Sequence, residues 1–361
     1  MTVASSAAPP SFTATHGMAI RFAAFALVAV VLLFLPIFAG RALLQNLFFV
    51  FTMLSLAQYW NLLAGYAGLV SVGQQAFVGL GAYALFAAAL IAGLDPLLGI
   101  LVGGVVAAIL ALPTALVVFR LRGAYFAIGT WVAAEVFRLV LAQFKTTLGG
   151  GTGTSLGPDI TNQMFGLKWI AATFDVRTPA ARDIAVYWLA LALLLGTMAL
   201  VYLLLRSRRG LALAAIRDSE AAAVSLGVDS FRTRLAIYII AAFGTGMVGA
   251  LIYLQKARVS PDAAFSVTDW TAYVIFIVVI GGIGTIEGPI VGAIVLYFLQ
   301  DYLAHFGTWY LITLGTLAAA VMLVAPKGLW GLFAQRFDVH IFPVRRHLTI
   351  SGTEEFESKP D

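Results

Sequence analysis

The chain of 361 residues contains no cysteine. Disulfides, thiolate nucleophiles and cysteine metal ligands are excluded, and the compartment stays open on that ground. Charge is also scarce: Asp, Glu, Lys and Arg make up 11% of the residues, against about 25% in soluble domains. The four histidines, His16, His305, His340 and His347, are scattered without metal-ligand spacing, so no metal site is expected. No G-x-x-x-x-G-K-[ST] segment occurs, so the chain binds no ATP through a P-loop. A membrane-embedded enzyme would need His, Asp or Glu gathered near one interface; no such cluster is seen, and neither catalytic residues nor cofactors are expected.

What the chain has is apolar surface. Hydrophobic residues make up 61% of it and the mean hydropathy is +0.96. Several runs of roughly 20 residues are nearly free of charge, enough to cross a hydrocarbon layer about 30 Å thick as a helix. No alternating ten-residue pattern of a membrane barrel appears. The expected fold is therefore all-α, a polytopic helical membrane protein of about ten segments: 18–39, 43–63, 76–92, 97–119, 123–142, 184–205, 235–254, 268–281, 286–303 and 308–325. The eighth, TDWTAYVIFIVVIG, has only 14 residues and reads as a short, tilted or half helix.

Alternating these segments from an inner amino terminus puts fourteen Lys and Arg inside and seven outside, with Arg138 alone inside a span. That bias follows the positive-inside rule, and both termini are expected in the cytoplasm. The net charge of +5 sits between spans, where cytoplasmic loops explain it better than nucleic acid does. Residues 1–17 read as a disordered lead, 18–335 as the membrane domain and 336–361 as a cytoplasmic tail. A signal peptide is the alternative for Arg21 and its apolar run; the run's length and the lack of a small-residue cleavage site weigh against it. Residues 143–183 form an external segment in which MFGLKWIAATF suits a short amphipathic surface helix.

The single sizeable inner loop is 206–234, RSRRGLALAAIRDSEAAAVSLGVDSFRTR, which gathers nine of the 39 charged side chains. Within it DSEAAAVSLG predicts a short helix: Asp218 and Ser219 can cap it, Glu220 suits its positive end, and Gly227 can end it. Such a piece suits docking into a groove of a cytoplasmic partner, or equally a solvated loop held near anionic lipid by its arginines. In the external half of segment 123–142, Glu135 and Arg138 lie three apart on one face and can pair, lining a path, anchoring a neighbouring helix or locking helix geometry. Ser71, Gln74 and Gln75 follow a glycine-rich break, AGYAGLVSVGQQ, at 64–75. They can offer hydrogen bonds along a pathway or satisfy backbone groups freed by the break. Gly284, Gly288 and Gly292 recur every four residues, a spacing that lets helices approach closely, within the chain or at a seam with a second subunit. Glu287 between them suits a water-reaching position at a helix start, with a gating role the alternative. GTGMVG at 244–249 matches a dinucleotide fingerprint but sits in an apolar helix with no strand before it, so no nucleotide site is read there.

The inner loop resembles the coupling loop of ABC-importer permeases through its EAA…G pattern. The resemblance assigns coupling to Glu220, Ala221, Ala222 and Gly227, with Arg217 and Asp218 beside them; Gly227 stands one residue later than in the family's wider pattern. GLVSVGQQAFVGLGAYA (68–84), LRGAYFAIGTWVAAEVFRLV (121–140), RGLALAAIRDSEAAAVSLGV (209–228), VIGGIGTIEGPIVGAIVL (279–296) and PKGLWGL (326–332) together resemble, over roughly 45–335, the permease subunits of ABC importers for branched-chain amino acids. Urea and short-amide permeases share these motifs. The resemblance implies a bacterial inner-membrane protein that translocates small amino acids by alternating access. Its implied partners are a second permease subunit, two cytoplasmic ATP-binding subunits, an external substrate-binding protein and membrane lipid. The rival of another class is an ion-coupled secondary transporter, for which Glu135 alone qualifies as the buried carboxylate.

Overall fold

A computed structural model describes residues 13–303, 306–337 and 341–342. Each apolar run is helical. The first five are α1 (Thr13–Phe34), α2 (Arg41–Asn61), α3 (Gln74–Leu90), α4 (Pro96–Val118) and α5 (Ala124–Leu141). The external segment then holds β1 (Thr154–Ser155), α6 (Pro158–Thr161) and α7 (Leu167–Phe174). A long α8 (Thr178–Arg206) leads into α9 (Arg208–Asp218), α10 (Glu220–Ser225) and α11 (Ser230–Lys256). The chain continues through β2 (Arg258–Val259), α12 (Pro261–Ala264), a π turn (Thr268–Ala272) and α13 (Tyr273–Gly281). It closes with α14 (Gly288–Leu303), α15 (Thr308–Val324) and α16 (Gly328–Phe337). Among the described residues, seven helical stretches are long and apolar enough to cross a membrane, and Ala23–Ile37, Gln74–Leu90 and Gly288–Leu303 are shorter apolar helices.

Local chemistry sets the boundaries. Asp95 Oδ1 accepts the Leu97 N–H at 2.8 Å, with Pro96 at the first helical position, and so starts α4. Asp229 Oδ1 accepts the Arg232 N–H at 2.9 Å and starts α11, five residues before the apolar run begins. Helix α8 likewise begins six residues earlier than expected, where Pro179 sits in its first turn, so Asp183 belongs to the helix and not to the external loop. The lead expected over 1–17 is helical from Thr13; residues 1–12 lie outside those described. In the tail, Arg336 and Phe337 close α16, Ile341 and Phe342 are placed, and 343–361 lie outside the described residues.

The core is a close meeting of α3, α4 and α11, made possible by glycine. A Cβ on Gly81 would strike the Gly246 carbonyl; one on Gly246 would strike Ala107 Cβ and stand 2.7 Å from the Gly103 carbonyl oxygen. One on Gly249 would overlap the Val78 backbone, and one on Gly244 the ring of Tyr59. The GTGMVG stretch is thus a surface where α11 meets other helices at backbone distance, the small-residue packing that membrane helices rely on.

Tertiary bonds sort the connecting segments into two polar ends. At one end β1 pairs antiparallel with β2, Thr154 opposite Val259. There too the Phe165 N–H donates to Asp95 Oδ2 at 2.8 Å, and Gln255 Nε2 donates to Asp183 Oδ1 at 3.0 Å. At the other end Asn61 Nδ2 donates to the Thr285 carbonyl at 2.7 Å, and the Phe342 N–H donates to Glu287 at 2.7 Å. Segments assigned to one side by alternation along the sequence meet at one end of the bundle. The eighth segment joins the two ends: Pro261–Gly281 supplies 21 residues, with Asp262 at one end and Gly282 at the other. The sequence reading starts it at Thr268, as a short, tilted or half helix of 14 residues. In the structure Ser266 Oγ accepts the Asp269 N–H at 3.2 Å and carries the chain into the π turn.

Candidate functional site

The charged inner loop folds as a helical hairpin. Ser207 starts α9 by accepting the Arg209 N–H at 3.2 Å. Gly210, Leu213 and Ile216 turn inward and are buried. Ser219 caps α10, its Oγ accepting the Ala222 N–H at 3.3 Å. Gly227 follows with φ +85°, and the Val228 N–H reaches back to the Ala223 carbonyl at 3.0 Å. That left-handed closure favours glycine. Ala223 is buried against the body, while Ala221, Ala222, Val224 and Leu226 face outward, Leu226 83% exposed. The hairpin tip is therefore an apolar surface on a short rigid helix.

Glu220 fixes that tip to α11. Its Oε1 accepts from Ser230 Oγ at 2.7 Å and from Arg234 Nη1 at 2.8 Å. The Ser230 hydrogen bond, then the Arg234 and Arg122 guanidiniums, hold its carboxyl below the usual range against the opposing effect of burial. Arg217 and Asp218 form a loose pair at 3.7 Å. Arg217 also stands beside the 282–287 loop: a Cβ on Gly284 would lie 3.8 Å from its Nη1.

That loop is gripped by α2 through a feature the sequence reading missed. Thr52, Ser55, Gln58 and Asn61 recur every three residues in an apolar helix, and all are buried. Thr52 and Ser55 donate to carbonyls of their own helix. Gln58 Nε2 donates to the Ile286 carbonyl at 2.7 Å, and Asn61 takes both the Thr285 carbonyl and the Gly284 N–H, at 2.7 and 2.8 Å. The period-three polar spacing within segment 43–63 was the available signal. Of the three spaced glycines, Gly288 and Gly292 lie in α14, where added Cβ atoms would strike the Gly282 and Ile277 carbonyls. Gly284 lies in the loop, with φ +75°, so the trio does not form one helix face. Glu287, expected to reach water, is 5% exposed. Phe342 covers it through its N–H and packs against Phe25 and Tyr202.

The break after α2 is closed by protein. A π turn, Leu62–Tyr66, precedes it. Trp60 Nε1 donates to the Ser71 carbonyl at 2.7 Å, and the Val72 N–H donates to Thr130 Oγ1 at 3.0 Å. Ser71 Oγ accepts the Gly73 N–H at 3.2 Å, and Gln74 Nε2 donates to the Leu56 carbonyl at 2.9 Å. Thr271 Oγ1 donates to Gln75 Oε1 and accepts the Gln75 N–H. All three candidates are buried; the side chains of Ser71 and Gln74 bond backbone groups, and that of Gln75 bonds the Thr271 hydroxyl. Gln74 Oε1 remains buried without a partner.

At the opposite end Arg138 donates through Nε and Nη2 to both oxygens of Glu135, and through Nη1 to Asp262 Oδ1 at 2.6 Å. The pair thus ties α5 to α12, with Asp262 a partner that no spacing in the sequence revealed. At the same end, Arg41 is paired with Asp183, which is 2% exposed. Among the described residues no group of three or more His, Asp or Glu is placed to hold a metal ion.

Comparison with known proteins adds an independent line. The family described as "Branched-chain amino acid transport system / permease component" matches residues 40–326. The high-affinity branched-chain amino acid transport system permease proteins LivM of Salmonella typhimurium and Escherichia coli are each 31% identical over 281 residues, covering 74% of this chain and 65% of theirs. The match therefore spans less than two thirds of those relatives' length. A probable branched-chain amino acid transport permease protein LivH of Methanocaldococcus jannaschii is 25% identical over 155 residues, 40% of this chain and 47% of that one. No solved structure matches the chain.

Proposed function

Because the chain belongs to the family of permease components of branched-chain amino acid transport systems, we propose that it forms one membrane-spanning half of an ATP-driven importer of branched-chain amino acids. A second permease completes the channel. Two cytoplasmic ATP-binding subunits grip α10, and an external binding protein delivers substrate near the 143–183 segment. The chain lies in a bacterial inner membrane with both termini in the cytoplasm, the side favoured by the fourteen inner Lys and Arg. ATP-driven approach of the two engines moves the α9–α10 hairpins and switches the channel between inward and outward access, each state favoured by the ligands that bind it better.

The observation that carries this reading is the α10 tip. Exposed Ala221, Ala222, Val224 and Leu226 form a docking face, and Glu220 joins it to α11 so that a push reaches the membrane domain. The rival ion-coupled carrier has less support: Glu135 is held by Arg138 on both oxygens, a poor arrangement for reversible proton or cation binding.

Gly227→Pro tests the reading. Proline fixes φ near −65°, and Gly227 requires +85° and its N–H for the Val224 carbonyl. The variant should insert into the membrane at normal abundance and lose ATP-driven leucine uptake in vesicles containing the assembled importer. Uptake at the normal rate would refute the coupling role.

A further inference from the structure

At the hairpin end, where α4, α5 and α11 converge, the packing leaves a half-open pocket of about 550 Å³, within the roughly 300–1,000 Å³ range of small-molecule sites. Its walls divide by chemistry. Leu69, Val70, Phe119, Phe126 and Phe231 line an apolar side. Glu220, Ser230, Arg122 and Arg234 supply the polar side.

The polar groups have unused capacity. Both hydrogen bonds to Glu220 fall on Oε1, leaving Oε2 free. Arg234 Nε is buried and has no acceptor. Arg122 forms no ion pair within 4 Å among the described residues, and reaches Glu220 only at longer range. Two guanidiniums, one half-free carboxylate and an aromatic–aliphatic wall match an α-amino acid zwitterion with an apolar side chain. A simple anion, phosphate included, would face the Glu220 carboxylate and leave the aromatic wall unused.

We propose that this cavity is a regulatory site for the transported amino acid, filled from the cytoplasmic side. The ligand's carboxylate lies between Arg122 and Arg234, its ammonium donates to Glu220 Oε2, and its side chain packs on Phe119, Phe126 and Phe231. This rests on the importer reading, which makes that amino acid the solute accumulating on this side. A bound ligand bridges α10 to the α4–α5 turn and favours one position of the docking helix. Accumulated product then slows ATP hydrolysis, since a ligand shifts a conformational equilibrium by its differential affinity for the two states.

The test uses the assembled importer in proteoliposomes of phosphatidylcholine and the purified full chain in nanodiscs of the same lipid. L-Leucine on the nucleotide side should inhibit ATP hydrolysis, and radiolabelled leucine should bind the full chain. Arg122→Ala should weaken both by about tenfold or more, as loss of a charge-assisted contact does, and Val70→Trp should do the same by filling the space. Both variants should keep wild-type uptake when inner leucine is low. 4-Methylpentanoate, lacking the ammonium, and leucinamide, lacking the carboxylate, should be weaker inhibitors than leucine by a similar factor. ATP-driven uptake with no inner-leucine inhibition and no leucine binding overturns the site and leaves the importer reading intact. Binding only of added phosphatidylglycerol also overturns it, and assigns the cavity to lipid. Absence of ATP-driven uptake by the wild-type assembly overturns the importer reading itself.

Discussion

Glu220 carries a pH dependence whose sign follows from its partners. Its carboxyl is held low by Ser230, then by Arg234 and Arg122, so the folded state binds the proton less readily than the unfolded one. The stabilisation is fully present above the unfolded value, about 4.3, and is lost as pH falls through the lowered folded value. Amide exchange over 220–228, corrected for intrinsic rates, should stay slow from neutral pH down to that range and quicken below it. Glu220→Gln should exchange faster at neutral pH and show a flat profile. Glycines divide as sharply. Gly246→Val places methyls where Gly103 and Ala107 already stand, and overpacking of this kind costs typically 1–3 kcal/mol or more. Its thermal midpoint in detergent should fall by several degrees. Gly196→Ala, in α8 with nothing within 4 Å of the added Cβ, should leave that midpoint unchanged or slightly raised.

Among elements, α2 and the 282–287 loop act as one unit. Asn61→Ala removes the partner of the part-buried Gly284 N–H and Thr285 carbonyl, and a lost hydrogen bond costs about 0.5–1.5 kcal/mol. The variant should unfold at lower temperature than Thr52→Ala, whose hydroxyl serves only its own helix. Limited proteolysis should cut first near Gly284. Asn61 also shows where sequence reasoning stops. The apolar runs located the helices because hydrophobic length is written directly in the chain, and DSEAAAVSLG predicted α10 because capping is local chemistry. Partnerships across the bundle are not local. Asp262 answers Arg138 from 124 residues away, and Phe342 seals Glu287 from 55 away. Nothing in either neighbourhood announces the other. The glycine spacing reads as close packing, and Gly288 and Gly292 do bring α14 to backbone distance of its neighbours, whereas Gly284 precedes the helix and serves the loop.

At the scale of the whole molecule, the two polar ends make orientation testable without background, since the native chain has no cysteine. Leu226→Cys and Trp169→Cys place single thiols on opposite ends at side chains 83% and 65% exposed. A membrane-impermeant maleimide applied to intact spheroplasts should label Trp169→Cys and spare Leu226→Cys; permeabilised cells should label both. The reverse pattern would place α10 away from any cytosolic engine. The contacts among Gly81, Gly103 and Gly246 bear on how such a machine moves. Backbones locked at that separation cannot slide or rotate past one another without collision, so α3, α4 and α11 travel as a single block. In the proposed importer the boundary that opens and closes would then run around this block, and α10, bonded to α11 through Ser230 and Arg234, would be the lever by which the block is turned.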